Sequence, residues 1–407
     1  MKVLWLTSVY PSEKHPSEGV FHETQVQELL KQGIKVTVIC PNPVNPPVLR
    51  MLKASYRQKK ELPEQEVRNG VTVYRPPYRA LPGQLKWAQP SKRIAASVLE
   101  AMQRHQLSPD FIHAHFAMPS GGAAAVIQKE TQIPYLLTLH GSDVNVYPSY
   151  SKGAQVAFET AVKQASVVLT VSEELAKKTN DMTKVEAKCL PLGIPLQSFS
   201  RTEEDQKGIR KHLGLPIQDK LVVFVGRLVK EKGLLELADA VSSMDGVKAV
   251  FVGKGPLAKE LTERTGGASI ILPGQVPNEQ VRDYLMAADL FALPSYSEGM
   301  PTVVLEALAL KVPVIATRVG GLPSLFSTYQ HLLVEPRSTR QLKEAIHACL
   351  YENRWNEEVK NDLHEMVHTK YSSEHNAKHL VQQYEKVLNQ SINIHRLNKM
   401  KCAKNDR

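Results

Sequence analysis

The stretch LFALPSYSEGMPTVVLEALAL, Leu290–Leu310, predicts a short strand, a turn-rich loop and a helix in succession. The apolar run Leu290–Leu293 has the length of a buried strand. Because a residue before proline avoids helical backbone, Met300 should be extended or in a turn, and the helix should open at Pro301. Apolar residues occur on every side of this helix, which predicts that it is buried.

One carboxylate lies inside this apolar helix, at Glu306. An unpartnered buried carboxylate costs on the order of several kcal/mol, so Glu306 should accept hydrogen bonds. The group that donates these hydrogen bonds to Glu306 is either a protein group, such as a backbone amide, Arg or Lys, or a ligand rich in hydroxyls. The first N–H groups of the helix, at Thr302, Val303 and Val304, should point toward Glu298 and attract an anion. A ligand with both phosphate and hydroxyl groups would satisfy both features.

The same alternation of strands and helices runs through the chain and predicts the α/β class, with two doubly wound, Rossmann-like sheets. The length of 407 residues also favours two domains. The first set of predicted strands is Lys2–Ser8, Lys35–Cys40, Val71–Arg75, Phe111–Phe116, Tyr135–Leu139 and Val167–Ser172. The second set is Leu221–Val225, Val247–Val252, Ser269–Leu272, Leu290–Leu293 and Val312–Ala316.

The predicted domains are residues 1–195 and 205–373, joined by the polar, turn-rich segment Gly193–Glu204. A helix over 374–390 is expected to return to the first domain, and residues 391–407 to form a frayed basic tail. The two domains should face a cleft, and ligands of such sheets bind outside the carboxyl ends of the strands.

The composition is that of a soluble globular protein, with 42% apolar and 23% charged residues. Four scattered cysteines predict reduced thiols rather than a disulfide framework or a zinc site. The opening MKVLWLTSVYP has the pattern of neither a secretory signal nor a membrane span, and no later run reaches about 18 apolar residues. We therefore expect a cytoplasmic protein.

Much of the net charge of +10 falls in the segment Arg50–Arg93, which has eleven Lys or Arg against three Glu. Four aromatic residues are interleaved with these cations: Tyr56, Tyr74, Tyr78 and Trp87. One interpretation is a solvated basic face. Another is an anionic membrane surface met by basic residues and aromatic anchors. Nucleic acid would suit the charge, but the chain has no recognised nucleic-acid motif.

Candidate ligand-binding residues follow several strands. GRLVKEKG, Gly226–Gly233, combines the charges of Arg227 and Lys232 with close backbone approach, which suits a diphosphate. His140 follows another strand, and Gly19 precedes the first helix, so that its backbone could approach a phosphate. The first loop has no Gly-x-Gly-x-x-Gly pattern, so a nicotinamide dinucleotide is not expected. The chain has no Walker-type Gly-Lys-Ser/Thr loop either.

Together these motifs resemble the GT-B retaining glycosyltransferases of family four. The resemblance covers nearly the whole chain. It rests on the spacing of about 65 residues between GRLVKEKG and EGMP, and on the seven residues that separate Glu298 from Glu306. It also rests on the Gly19 loop with Phe21 and on FIHAHFAMPSG, LHGSD and PSYSEG. Within the family, the chain is most similar to transferases that build Gram-positive wall polysaccharides, including the teichuronic acid enzymes.

The resemblance implies a role for each matching position. Arg227 and Lys232 would hold the donor diphosphate, and Glu306 would bind the ribose hydroxyls of the nucleotide. His140 would face the donor sugar from the first domain, and Gly19 would let the backbone reach the phosphates. The remaining implied donor contacts are Glu298 and the backbone of Gly299, Met300 and Pro301 to sugar hydroxyls, and the N–H groups of Thr302 and Val303 to phosphate. Many relatives carry Gly-Gly in the first loop, where this chain has Glu18-Gly19.

The implied reaction is transfer of a sugar, with retained anomeric configuration, from a nucleotide-sugar to a lipid-linked saccharide. Uridine is the favoured base. Cations and helix N–H groups would stabilise the leaving diphosphate, so neither a metal nor a cofactor is expected. The alternatives are a GT-B epimerase, a phosphorylase with a lysine-bound pyridoxal cofactor, and a non-enzymatic protein that binds nucleotide-sugars or nucleic acid.

Overall fold

A computed structural model of the chain describes residues 1–46, 62–81, 83–87, 89–200, 205–264 and 269–405. The chain divides into two compact units, one formed by Met1–Pro191 with Asn376–Arg407 and the other by Leu192–His375. The chain thus leaves the first unit once and returns to it near its end. Each unit is built on a largely parallel sheet with helices between the strands, which confirms the predicted α/β class and the two Rossmann-like folds.

The first unit contains an eight-stranded sheet in the order β10-β9-β8-β7-β1-β2-β5-β4, parallel except for the antiparallel pair β4/β5. Its strands are β1 Lys2–Leu6, β2 Lys35–Ile39, β4 Gln65–Arg68, β5 Val71–Tyr74, β7 Phe111–His115, β8 Tyr135–Leu139, β9 Val167–Thr170 and β10 Ala187–Cys189. Two further strands, β3 Asn42–Val44 and β6 Pro77–Arg79, pair with each other. Its helices are α1 Val20–Lys31, α2 Gln84–Trp87, α3 Ser91–Arg104, α4 Gly122–Thr131, α5 Ser142–Asn145, α6 Lys152–Lys163 and α7 Glu173–Thr183.

The second unit contains a five-stranded parallel sheet in the order β13-β12-β11-β14-β15. Its strands are β11 Lys220–Val225, β12 Val247–Val252, β13 Ile270–Gly274, β14 Leu290–Leu293 and β15 Val314–Ala316. Its helices are α8 Gln206–His212, α9 Leu234–Ser242, α10 Ala258–Arg264, α11 Asn278–Ala287, α12 Thr302–Ala309, α13 Leu322–Phe326, α14 Thr339–Tyr351 and α15 Glu357–Lys370. The strands are apolar on both faces because helices cover both sides of such a sheet, and Phe224, Phe251 and Phe291 are fully buried.

Several predicted bounds need correction. β4 and the short strands β3, β6 and β10 were not predicted, because none has the β-branched or apolar run that marks a buried strand. The apolar helix α12 begins at Thr302 rather than Pro301. Pro301 has extended backbone, with φ −76° and ψ 110°, and its carbonyl accepts the first helical hydrogen bond, from the Val304 N–H. Pro301 therefore caps the helix from outside it.

The last helix, α16, runs from Ser373 to Asn405, so the backbone remains helical beyond residue 390, where a frayed tail was expected. The segment has neither glycine nor proline to stop the helix. Three of its apolar side chains, Leu380, Tyr384 and Val387, belong to the core of the first unit. Among the described residues, no helix combines the length and apolar character needed to cross a membrane.

Candidate active site

In the second unit, the order of the strands reverses between β11 and β14, and the loops that follow these two strands carry most of the predicted site residues. We call Gly226–Gly233 the β11 loop and Pro294–Pro301 the β14 loop. A switch point of this kind leaves a crevice at the carboxyl edge of the sheet, because neighbouring connections depart to opposite faces.

The two loops are held together by backbone contacts. Gly233 has a left-handed φ of 64°, and a Cβ at this position would lie 2.1 Å from the carbonyl oxygen of Pro294. The Tyr296 N–H donates to the Glu231 carbonyl at 2.8 Å, and the Tyr296 hydroxyl donates to the Glu236 carboxylate at 2.5 Å. Only glycine tolerates both the conformation and the close approach at position 233.

The structure pairs Lys232 with Glu298, two residues to which the sequence assigned different tasks. Lys232 Nζ lies 2.5 Å from Glu298 Oε1, and the two side chains are only 21% and 11% exposed. The ammonium group expected to meet a diphosphate is therefore neutralised by the carboxylate expected to meet the sugar. A ligand that takes hydrogen bonds from Lys232 must share it with Glu298 or displace Glu298.

Arg227 is exposed at the end of β11, directly after Gly226. The loop after β12, Gly253–Gly255, packs against this position. A Cβ at Gly253 would lie 1.9 Å from the Gly226 carbonyl oxygen, and the Leu228 N–H donates to the Lys254 carbonyl at 3.0 Å. The sequence reasoning missed this support, although VGKG directly after a strand carries the same glycine signal as the β11 loop.

The backbone of Glu298 and Gly299 is fixed by a third loop, the one that follows β15. The Gly321 N–H donates to the Gly299 carbonyl at 2.7 Å, and a Cβ at Gly320 would lie 2.4 Å from the Glu298 carbonyl oxygen. Met300 is buried, and α12 then begins at Thr302. The N–H groups of Thr302 and Val303 are thus at the start of a helix, where backbone dipoles favour an anion.

Glu306 lies one turn into α12, and its residue surface is partly exposed. Burial of the carboxyl group raises its pKa to about 7, and a hydrogen bond with the Thr302 side chain opposes that shift. Near neutral pH, Glu306 is therefore present both as the acid and as the carboxylate. No arginine or lysine partner accounts for it among the described residues, so a protein cation is not what stabilises its charge.

In the first unit, the strand order reverses between β1 and β7, and Gly19 lies in the loop that follows β1. Gly19 has φ 74° and immediately precedes α1. A Cβ at this position would lie 3.0 Å from the Val9 carbonyl oxygen. The loop therefore requires glycine for its own packing, whether or not a phosphate approaches its backbone. Phe21, on the first turn of α1, lies 5.3 Å from His140, measured between ring centroids.

His140 lies at the end of β8 and belongs to a group of four imidazoles that we call the histidine cluster: His22, His113, His115 and His140. His140 Nε2 is 3.0 Å from His115 Nδ1. Desolvation lowers the pKa of His140 to about 3, and it lowers the pKa of the other three rings well below the ordinary value. His140 is therefore neutral at physiological pH and offers hydrogen bonds, not a charge.

A buried carboxylate fixes the backbone at His140. Asp143 accepts hydrogen bonds from the N–H groups of Ala117, His140 and Gly141, at 2.9, 3.0 and 2.8 Å. Burial raises the pKa of Asp143, and these hydrogen bonds act against that shift. The sequence reasoning did not assign this role. The Asp in LHGSD could have indicated it, because Asp commonly hydrogen-bonds backbone N–H groups nearby in a loop.

Other cluster members were also missed by sequence reasoning. His113 is fully engaged, with Nδ1 2.7 Å from the Tyr384 hydroxyl and Nε2 2.8 Å from Thr138 Oγ1. His22 Nε2 lies 2.9 Å from Thr7 Oγ1. The available signal was the His-x-His pair in FIHAHF, since alternate residues of one strand share a face of the sheet.

Part of the basic segment Arg50–Arg93 has a structural role. Arg75 is buried and hydrogen-bonds the Pro11 carbonyl at 2.7 Å and the Glu66 carboxylate. Arg68 pairs with Glu23 at 2.6 Å. Both cations are engaged in ion pairs within the first unit. Three further cations of this segment, Arg57, Lys59 and Lys60, lie outside the described residues.

Known proteins match both units. The family described as Glycosyltransferase Family 4 matches residues 20–198, and the family described as Glycosyl transferases group 1 matches residues 205–366. The glycosyltransferase TuaC of Bacillus subtilis (strain 168), which its name assigns provisionally to teichuronic acid biosynthesis, is 58% identical over 393 residues. That match covers 96% of this chain and 100% of TuaC.

Two solved structures share the fold. Sucrose-phosphate synthase from Thermosynechococcus elongatus has a TM-score of 0.75 at 19% identity, covering 96% of this chain and 100% of that one. Anabaena HepE in complex with UDP-glucose has a TM-score of 0.72 at 18% identity, covering 95% and 99%. At these identities the likeness shows the fold alone, whereas the match to TuaC extends to the sequence itself. The chain has the GT-B fold and belongs to the group 1 glycosyltransferases.

Proposed function

We propose that the protein is a retaining glycosyltransferase that moves a sugar from a UDP-sugar to a lipid-linked or growing cell-wall polysaccharide, such as teichuronic acid. The observation that carries the proposal is the grouping of Lys232, Glu298 and the start of α12 at one switch point, with Arg227 beside them. Within two loops that pack against each other, the β11 and β14 loops, these residues offer cations to a diphosphate and a carboxylate to sugar hydroxyls. The UDP-glucose bound by HepE and the name of TuaC support the donor and the acceptor class.

In the proposed complex, Arg227 and Lys232 contact the diphosphate together with the N–H groups of Thr302 and Val303. Glu298 and the backbone from Gly299 to Pro301 contact the sugar hydroxyls. Sugar binding then exchanges the ion pair between Lys232 and Glu298 for ligand contacts, which releases Lys232 toward the phosphates. A donor that carries both groups is thus favoured over a free phosphate, because only the donor compensates both members of the pair.

Glu306 binds the ribose hydroxyls in this proposal. A carboxyl group with a pKa of about 7 can accept a hydrogen bond as the carboxylate and donate one as the acid. His140 contacts the donor sugar as a neutral imidazole, and the Gly19 backbone contacts phosphate. Asp143 acts as a positioning residue, because it fixes the backbone on which His140 stands.

The charge that develops on the leaving diphosphate is stabilised by Arg227, Lys232 and helix N–H groups, so the proposed reaction needs no metal ion. Breaking the bond between the anomeric carbon and the β-phosphate oxygen leaves negative charge on the β-phosphate and makes the anomeric carbon cationic. The acceptor hydroxyl attacks from the same face as the departing diphosphate, and a phosphate oxygen takes its proton. The anomeric configuration is then retained.

A thermal-shift screen of UDP-, GDP- and ADP-sugars tests the donor, and the proposal expects the largest shift with a UDP-sugar. NMR of the product, formed with an undecaprenyl-linked saccharide in excess EDTA, then tests transfer and anomeric configuration. An inverted product, loss of activity with EDTA, or no shift with any UDP-sugar would contradict the corresponding part. Conversion of the UDP-sugar to its epimer without acceptor would favour the epimerase instead.

The proposed acceptor is lipid-linked, so we also propose that the first unit binds the inner face of the membrane. The described part of the chain supports this with exposed apolar side chains close in sequence, Val146, Tyr150 and Val156, which are 39%, 42% and 63% exposed. The Lys86 ammonium lies 5.3 Å from the centre of the Tyr150 ring. Apolar side chains flanked by lysines suit the interface of an anionic leaflet.

Sedimentation with vesicles containing phosphatidylglycerol tests this membrane proposal. Binding should be strong at low salt and weak at high salt, since the cations contribute roughly 1 kcal/mol each near an anionic surface. Replacing Arg57, Lys59 and Lys60 by Ser, or Tyr150 and Val156 by Ser, should weaken sedimentation and leave UDP binding unchanged. The matched control replaces Lys259, an exposed cation of α10 in the second unit. Equal sedimentation of all variants would overturn the membrane proposal without affecting the donor site.

A further inference from the structure

Three rings of the histidine cluster are arranged as a set of potential metal ligands. One ring nitrogen from each of His22, His115 and His140 can be chosen so that all three lie within 4.8 Å of one another. The ring centroids of His22 and His115 are 4.6 Å apart, and those of His115 and His140 are 5.3 Å apart. His22 and His115 are fully buried, whereas His140 is partly exposed.

These three rings also have unused hydrogen-bonding capacity. His22 Nδ1, His115 Nε2 and His140 Nδ1 are buried, and no described residue supplies a hydrogen-bond partner to any of them. In contrast, both nitrogens of His113 have partners. Unsatisfied buried polar atoms are uncommon in folded proteins. Here three such atoms belong to three adjacent residues of one kind. In His115 and His140 the unpartnered nitrogen is the outer one, so it can carry the ring proton when the inner nitrogens, His115 Nδ1 and His140 Nε2, bind an ion.

Imidazole is a preferred ligand of zinc, copper and nickel. In a tetrahedral zinc site with Zn–N distances of about 2.0–2.1 Å, the ligand nitrogens are roughly 3.3 Å apart. His115 Nδ1 and His140 Nε2, at 3.0 Å, are already near that separation. Binding through this pair requires the shared proton to move to an outer ring nitrogen. The third ligand, His22, starts within 4.8 Å of both nitrogens and must approach by at most about 1.5 Å.

We propose that His22, His115 and His140 form a binding site for one divalent transition-metal ion, such as Zn²⁺. The ion enters from the side of His140, the one partly exposed ring of the three. Mg²⁺ and Ca²⁺ do not suit the site, because they prefer oxygen ligands. The nearest carboxylate in the loop, Asp143, is already engaged by three backbone N–H groups.

The site has a regulatory consequence that rests on the proposed function. A metal ion that holds His140 prevents this ring from contacting the donor sugar. Zinc should therefore inhibit a transferase that needs no metal for its chemistry. The metal site and the donor site are distinguishable, because metal binding can be measured with no nucleotide or acceptor present.

A second pair of histidines must be controlled in any test. His364 and His368 are one turn apart on α15, with ring centroids separated by 4.2 Å. Two imidazoles at this spacing share one face of a helix and can bind zinc weakly on their own. The experiment therefore uses untagged full-length protein in which His368 is replaced by Ala, and every further variant is made in this background.

Co²⁺ absorption and calorimetric titration with Zn²⁺ test the site after EDTA treatment and dialysis. The background protein should bind one Zn²⁺ and give the intense visible spectrum of cobalt in a tetrahedral site. His115→Phe preserves a ring against Trp5, which stacks on His115 at 4.0 Å between ring centroids, and removes the nitrogens. This variant and His140→Gln should each weaken zinc binding at least about tenfold. His113→Gln, at the ring whose nitrogens are both engaged, should weaken it by less than these two.

Far-UV circular dichroism and a cooperative urea unfolding transition report whether the first unit of each variant, which carries His115 and His140, is folded. Zinc binding that is unchanged by both His115→Phe and His140→Gln in folded protein would overturn the proposal, as would no cobalt spectrum in the background protein. In a transfer assay, zinc should inhibit the background protein more strongly than His115→Phe. Equal fractional inhibition of the two would also contradict the site. Failure of the transfer assay itself would instead count against the proposed function.

Discussion

The loops at the switch point of the second unit and the histidine cluster of the first unit occupy equivalent positions in two similar sheets, but their electrostatics are opposite. The β11 and β14 loops hold charged groups near the surface, and Lys232 and Glu298 compensate each other. The histidine cluster holds four imidazoles that burial keeps neutral. Each sheet places functional side chains at the carboxyl ends of its parallel strands. Solvent access then decides whether these side chains are charged or are neutral hydrogen-bonding groups.

The strongest test of this contrast removes charge from the second unit. Arg227→Ala and Lys232→Ala should each lower kcat on the order of 10²–10³-fold, because each removes a preorganised group that is proposed to stabilise the leaving diphosphate. Lys230→Ala is the matched control, since Lys230 is an exposed cation of the same loop. Steady-state kinetics with a UDP-sugar measures the effect. A similar loss in Lys230→Ala would show that the loop acts through its total charge rather than through two placed groups.

The next largest effect concerns stability of the first unit. Asp143→Ala leaves three backbone N–H groups, two of them buried and one partly buried, without their acceptor, so the free energy of unfolding should fall by about 2–4 kcal/mol. Urea denaturation measures the loss, and Asp181→Ala, at an exposed position of α7, is the control. UDP affinity of the folded variant should be unchanged. A destabilisation no larger than that of the control would show that water replaces the carboxylate.

Glu306→Gln should separate nucleotide binding from stability. Nucleotide affinity should fall roughly tenfold, because the variant loses the charged group that is proposed to accept hydrogen bonds from the ribose hydroxyls. In contrast, the free energy of unfolding of the variant should rise relative to that of the parent at neutral and higher pH. The pKa of Glu306 is raised in the folded protein to about 7, so its contribution to stability is present at low pH and is lost as pH rises through that value.

In the absence of nucleotide, the free energy of unfolding of Glu306→Gln should therefore equal that of the parent near pH 4.5 and exceed it at pH 8. The gain should reach at most about 3 kcal/mol, and less to the extent that the exposed part of Glu306 admits water. Thermal unfolding at the two pH values, with and without UDP, measures both effects. A variant that binds UDP as tightly as the parent would contradict the ribose assignment.

The smallest expected effect is the absence of a histidine titration. Because the pKa of His140 is lowered to about 3, its ring should remain neutral from about pH 5 to pH 8. The pH dependence of kcat/KM in the Glu306→Gln variant should therefore show no step that belongs to His140. A step near pH 6.5 that disappears on adding His140→Gln would contradict the neutral state of the cluster and remove the contrast between the two edges.

Much of the fold could be predicted because the strands of a covered parallel sheet are short apolar runs. All eleven predicted strands were found in this way, although several bounds shifted by one or two residues. The strands that were missed, such as Gln65–Arg68, lie where one face meets solvent and the apolar run disappears. The one-residue error at Pro301 arose because proline is suited both to the first helical position and to the extended position before it.

The sequence by itself determined the α/β class, the two-unit organisation and the residue types at the strand ends, because these depend on local apolar patterns and on loops of fixed spacing. Only the tertiary structure decided the partners. It paired Lys232 with Glu298, placed Asp143 against three N–H groups, and gathered His22, His115 and His140 from three elements. Residues separated by tens of positions meet only when the sheet order is known. Their charge states follow in turn from burial, which no local pattern records.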